Sequence, residues 1–144
     1  MENLEQVRAR NALKFAHGIR QGTGDGKADA VVKKTATRIV QNGFLGALAF
    51  GLEKGDGPED VFVAILYHVM QPEVKIMDPR VKSFAPIAQL DRSKDVRLPV
   101  IDQQSALEKF LEEISGKEFS ALQLMRLTEE AMHFLSFLRR FTKD

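Results

Sequence analysis

The sequence predicts an all-α fold, a compact single-domain bundle of five to six helices around a central apolar helix. Three observations predict it. Apolar residues recur at three- and four-residue spacings along most of the chain, no stretch shows the two-residue alternation of a half-buried strand, and glycine or proline clusters cut the periodic stretches into helix-sized lengths. At 144 residues, 44% hydrophobic and 28% charged, the chain is long enough to bury a core and too apolar for a disordered tail.

The first helix runs from Glu2 to about Ile19. Leu4, Val7, Ala12, Ala16 and Ile19 share one side, and Arg8, Arg10, Lys14 and Arg20 stay solvated. Gly22-Thr23-Gly24-Asp25-Gly26 then breaks it, because three glycines in five residues lose too much chain entropy in a helix. A second helix spans about Lys27 to Gln41, with Val31, Thr35, Ile39 and also Val32 as candidates for the inward side, and ends at Asn42-Gly43, residues that tolerate the left-handed conformation.

Phe44 to Leu52 follows as a short helix apolar all round, which suits only a central position, with Gly46 allowing a close neighbour. Pro58 stands at a first helical position, and Glu59 and Asp60 complement the helix dipole. This helix runs to about Met70, burying Val61, Ile65, Leu66 and Val69. Prolines 72, 79, 86 and 99 mark a connection at about 71–101, with a short helix expected near Val81 to Leu90. Asp102 is read as the cap of a helix from Gln103 to Ser115, with Leu107, Phe110, Leu111 and Ile114 inward. Ser120 and Gln123 form a capping box for the last helix, whose stripe is Leu124, Leu127, Ala131, Phe134, Leu138 and Phe141.

Composition excludes several chemistries. Without cysteine there are no disulfides, zinc-thiolate sites or thiol nucleophiles. The amino terminus carries acid where a signal peptide carries base, and the uncharged stretch from Gly43 to Leu52 is about half a membrane span. A soluble cytoplasmic protein is expected. Charge is unevenly placed: residues 1–54 hold nine basic and five acidic side chains, the remainder twelve and fifteen. A basic end suits a polyanion partner, or like copies stacking end to end.

Two patterns imitate sites. Gly22 to Lys27 is one residue short of a phosphate loop, with Ala28 where a metal-binding hydroxyl belongs and no preceding strand, so an inter-helix turn is the better reading. Glu130 and His133 stand at i and i+3, the pair used in di-iron bundles, but His17 and His68 have no acid at the matching position. A solvated face with Arg126 paired to Glu130 is the favoured alternative. The scattered serines include no nucleophile elbow. No metal or other cofactor and no catalytic residues are assigned, and the chain is not read as an enzyme.

The remaining signal is basic. Lys34 and Arg38 lie one turn apart with Lys27 seven residues back, and Lys33 flanks them, a spacing that suits phosphate contacts. The single tyrosine and absent tryptophan argue against extensive base stacking.

Two stretches carry a resemblance: "KKTATRIVQNGFLGALAF", a basic helix turning at Asn42-Gly43 into an apolar one, and "LMRLTEEAMHFLSFLRRF", a closing helix with acidic pair, aromatics and basic end. In these the chain resembles the small subunit of the type III-B CRISPR effector, the Cmr complex. The resemblance implies a non-catalytic all-helical protein of antiviral defence, stacking with copies of itself beside the backbone subunits and helping hold target RNA and crRNA, with the backbone and large subunits as partners. Lys33, Lys34 and Arg38 become candidate RNA contacts, joined by Arg20 and Lys27, with Arg139, Arg140 and Lys143 as a second basic edge. Asp25 and Asp29 interrupt the basic surface. The competing readings are a helical protein-protein adaptor without nucleic-acid contact, and a metal-dependent enzyme centred on Glu130 and His133. Asn42-Gly43 is expected to be the hinge between charged and apolar halves.

Overall fold

A run of twelve residues from Glu59 to Met70 in which every side chain is buried fixes the centre of the molecule. This run covers α3 after Pro58, together with its C-cap residue Met70, in a computed structural model that describes residues 3–23, 26–55, 57–90 and 100–143. In chain order the helices are α1 (Leu4–Thr23), α2 (Ala28–Lys54), α3 (Pro58–Val69), a 3-10 turn (Lys82–Phe84) leading into α4 (Ala85–Ala88), α5 (Val100–Ser115) and α6 (Ala121–Thr142). There is no strand among the described residues, and none of their helices is long and apolar enough to cross a membrane.

The all-α bundle is as predicted, but its central apolar helix is α3. The stretch from Phe44 to Leu52 buries only Phe44, Ala47, Leu48 and Gly51, with Gly46 and Ala49 exposed. Gly46 admits no neighbour: a Cβ there would meet nothing nearer than Asn42 Cβ at 3.4 Å. The close approach is at Gly51, where a Cβ would lie 2.9 Å from Phe62 Cδ2. Phe44 fills the same region, edge-on to Phe62 and to Phe110, each at 5.7 Å between ring centroids. Phe84 meets Phe110 from the 3-10 turn and, with Ile87, anchors the proline-marked connection to the core.

Gly43 adopts φ +80° and ψ 164°, a conformation essentially confined to glycine, and breaks α2 into arms 28–42 and 44–54. The break is a fold-back. On a straight helix residues twelve apart are separated by about 18 Å along the axis, yet the Arg38 guanidinium carbon sits 3.5 Å from the Phe50 ring centroid.

Several boundaries shift. α1 continues through Gly22 to Thr23, beyond the end expected near Ile19, because Ile19 and Phe15 are buried and hold its last turns down. Gly24 and Asp25 lie outside the described residues, as do residues 91–99 of the connection. α5 begins at Val100, so Asp102 sits in its first turn rather than capping it. The Ser120–Gln123 capping box forms: Ser120 Oγ accepts from the Gln123 amide at 3.1 Å, and Gln123 Oε1 accepts from the Ser120 amide at 2.7 Å. Satisfying these amides fixes the start of α6, which packs along α1 and α2.

Candidate nucleic-acid interface

The first arm of α2 and the last three turns of α6 leave an open groove of about 650 Å³ between them. Its floor is apolar. Val32, Ala36 and Val40 recur at four-residue intervals on α2 and face Met132 and Leu135 of α6. Val40 is 72% exposed and so offers most of its side chain to whatever enters the groove.

The rim is cationic. Lys33 stands on the α2 side, and Arg139, Arg140 and Lys143 on the α6 side, with no acidic residue among those lining the groove. Two basic groups about a hundred residues apart in sequence therefore share one surface. The cations of α6 also lie at the negative end of its dipole, which favours them there before any ligand arrives.

The other candidates are placed differently. Lys34 and Lys27 are exposed but do not line the groove; at 100° per residue, Lys34 points away from Lys33 around α2. Arg38 is half-buried, its guanidinium plane laid on Phe50 by the fold-back at Gly43. Arg20 donates from Nη2 to the Phe141 carbonyl at 2.5 Å, which braces the end of α6 against α1. Arg139 reaches Asp29 at 3.4 Å, so the acid that interrupts the basic sequence is a direct competitor for one groove cation.

The basic residues of α1 were expected to stay solvated, but tertiary packing leaves Arg8, Arg10 and Lys14 only half-exposed. Lys14 lies 4.4 Å from the Tyr67 ring centroid and donates to the Leu90 carbonyl at 3.3 Å. Arg8 grips Glu130 with both ends of its guanidinium: Nε to Oε2 at 2.7 Å and Nη2 to Oε1 at 2.8 Å. The bidentate match of guanidinium to carboxylate is why arginine serves here.

Glu130 is thus not the solvated partner of Arg126 that helix spacing suggests. It is 7% exposed, and its Oε2 also accepts from His68 Nε2 at 2.8 Å. His68 has no exposed surface; it stacks on Phe134 at 4.5 Å, and its Nδ1 accepts from the Asn11 amide at 3.0 Å, the tautomer with the proton on Nε2 serving both neighbours. Burial alone would push the Glu130 carboxyl up, but the hydrogen bonds from Arg8 and His68 outweigh it and hold the carboxyl at about 2.

This network joins α1, α3 and α6, and it occupies both oxygens that a metal at Glu130 and His133 would need. His133 itself is exposed, and among the described residues no three His, Asp or Glu side chains converge as metal ligands.

Residues 4–144 match the family model described as CRISPR-associated protein (Cas_Cmr5), a span that includes both walls of the groove. No curated protein and no solved structure matches the chain. The chain belongs to the Cas_Cmr5 family of CRISPR-associated proteins, consistent with a small subunit of the type III-B Cmr complex.

Proposed function

We propose that this chain is a non-catalytic small subunit of a type III-B Cmr ribonucleoprotein, a single helical domain that acts in the cytoplasm in antiviral defence. It stacks with further copies of itself along the backbone subunits, beside the large subunit, and helps hold target RNA paired with crRNA. Family membership supports the assembly, and the groove supports the RNA contact. The observation that carries the reading is the convergence of Lys33 with Arg139, Arg140 and Lys143 on a groove lined by no acid. Cations so arranged neutralise phosphates and release counterions without reading sequence. Lys34 and Lys27 extend the positive surface along the outer flank of α2, with Arg20 and Arg38 braced nearby by Phe141 and Phe50.

The test is target-RNA binding across a salt series by complexes reconstituted with wild type or with Lys33→Ala/Arg139→Ala/Arg140→Ala/Lys143→Ala. The reading expects weaker binding and a shallower dependence of log affinity on log salt, by about one unit of slope for each phosphate contact removed. A second reading, a protein adaptor without RNA contact, draws on Leu122 and Met125, exposed at 63% and 54% on one side of α6. It expects the two complexes to bind RNA identically.

A further inference from the structure

The groove has a feature that phosphate binding alone leaves unused: its floor. A duplex presents phosphates and groove edges outward and keeps its base faces stacked inside, so it has nothing to lay against Val40, Ala36 and Met132. An unpaired strand has both parts, phosphates for the rim and base faces for the floor. Width argues the same way. Axes of packed helices stand about 8–10 Å apart, and α2 and α6 are in contact, so the trough between them admits one strand rather than a cylinder of two.

We propose that the α2–α6 groove binds an unpaired stretch of RNA, its phosphates on the basic rim and its bases against Val40, Ala36 and Met132. The proposal rests on the RNA reading above, and the groove takes a part of the target RNA left unpaired beside the part that is paired with crRNA. No aromatic side chain lines it, so the bases are held by apolar contact rather than by ring stacking, and base identity matters little.

The sign of the preference is diagnostic. A surface that binds phosphate alone favours the duplex, whose charge density is higher. A groove that covers base faces favours the single strand. The experiment compares a short labelled oligouridylate with an RNA duplex of equal length at one salt concentration. It uses wild type, the four-residue basic variant and Val40→Gln, a substitution at an exposed helical site, with the fold of each checked by circular dichroism.

Wild type is expected to prefer the single strand, Val40→Gln to lose about threefold to tenfold in single-strand affinity with the duplex unaffected, and the basic variant to lose single-strand binding. Equal or tighter duplex binding, with Val40→Gln matching wild type, overturns the proposal; the RNA reading then survives if the basic variant still loses affinity. Binding of neither RNA by the free protein or the reconstituted complex overturns both. Displacement of bound RNA by an acidic helical peptide whose own binding needs Val40 would assign the floor to a protein partner and likewise overturn the proposal.

Discussion

Replacing Gly43 with alanine sets two effects of opposite sign against each other. Were α2 continuous through residue 43, Gly43→Ala would stabilise the helix by about 0.5–1 kcal/mol, because glycine loses more backbone freedom in a helix interior. In the structure Gly43 has φ +80° and ψ 164°, and a Cβ there would meet no atom within 4 Å, so steric crowding by the rest of the protein is not at issue. The cost is that of the backbone conformation, about 1–3 kcal/mol for a residue other than glycine. For a chain of this length that corresponds to a fall in Tm of roughly 3–10 °C, with the β-branched Gly43→Val at the upper end. Thermal and urea unfolding of wild type, Gly43→Ala and Gly43→Val measure it. An alanine variant as stable as wild type, or more stable, would refute the fold-back and the Arg38–Phe50 contact that depends on it.

Other expectations follow from the same contacts. Glu130→Ala strands the Arg8 and His68 partners in a buried site and is expected to cost about 3–5 kcal/mol by urea unfolding. The Glu130 carboxyl lies below its ordinary 4.5 when folded, so its contribution is complete above pH 4.5 and is lost as pH falls toward about 2. The loss is on the order of 3 kcal/mol, and Glu130→Gln should remove that segment of the stability-versus-pH curve. Gly51→Ala forces a Cβ against the fully packed Phe62 ring and should destabilise by about 1–3 kcal/mol, whereas Gly46→Ala, exposed and inside a helical arm, should stabilise by up to about 1 kcal/mol. Asp29→Asn releases Arg139 and should raise RNA affinity by up to about fivefold, with unfolding free energy changed by less than about 1 kcal/mol.

Local signals were readable in the sequence, and relations between distant residues were not. The Gly43 break and the Ser120 cap each depend on neighbouring residues alone, and both were legible. The identity of the central helix was not, because α3 carries Glu59, Asp60 and His68, which helical patterning assigns to the surface, while Phe44 to Leu52 has no polar side chain. Packing reverses the order: Gly46 and Ala49 offer little area to bury, and the polar groups of α3 find partners inside, Gln103 donating to Asp60 at 3.3 Å and His68 to Glu130.

Glu130 was misassigned for a related reason. The i,i+4 rule offers Arg126, but Arg8 stands 122 residues away and wins because its guanidinium matches the carboxylate at both oxygens in a nearly dry site. The groove was half legible. Lys33 and the Arg139-Arg140-Lys143 cluster each stand out in the sequence, and only the packing of α2 on α6 makes them one surface. The apolar floor gave no signal, since Val40 stands outside the inward stripe of its helix and a single exposed valine marks no site by itself.

The most direct measurement places a photo-crosslinking side chain at Thr37, on the groove wall, and separately at Glu108, exposed on α5, in the reconstituted complex loaded with target RNA. The account predicts crosslinks to RNA from position 37 and none from position 108. Crosslinks from position 37 to protein alone, or equal RNA crosslinking from both positions, would contradict it.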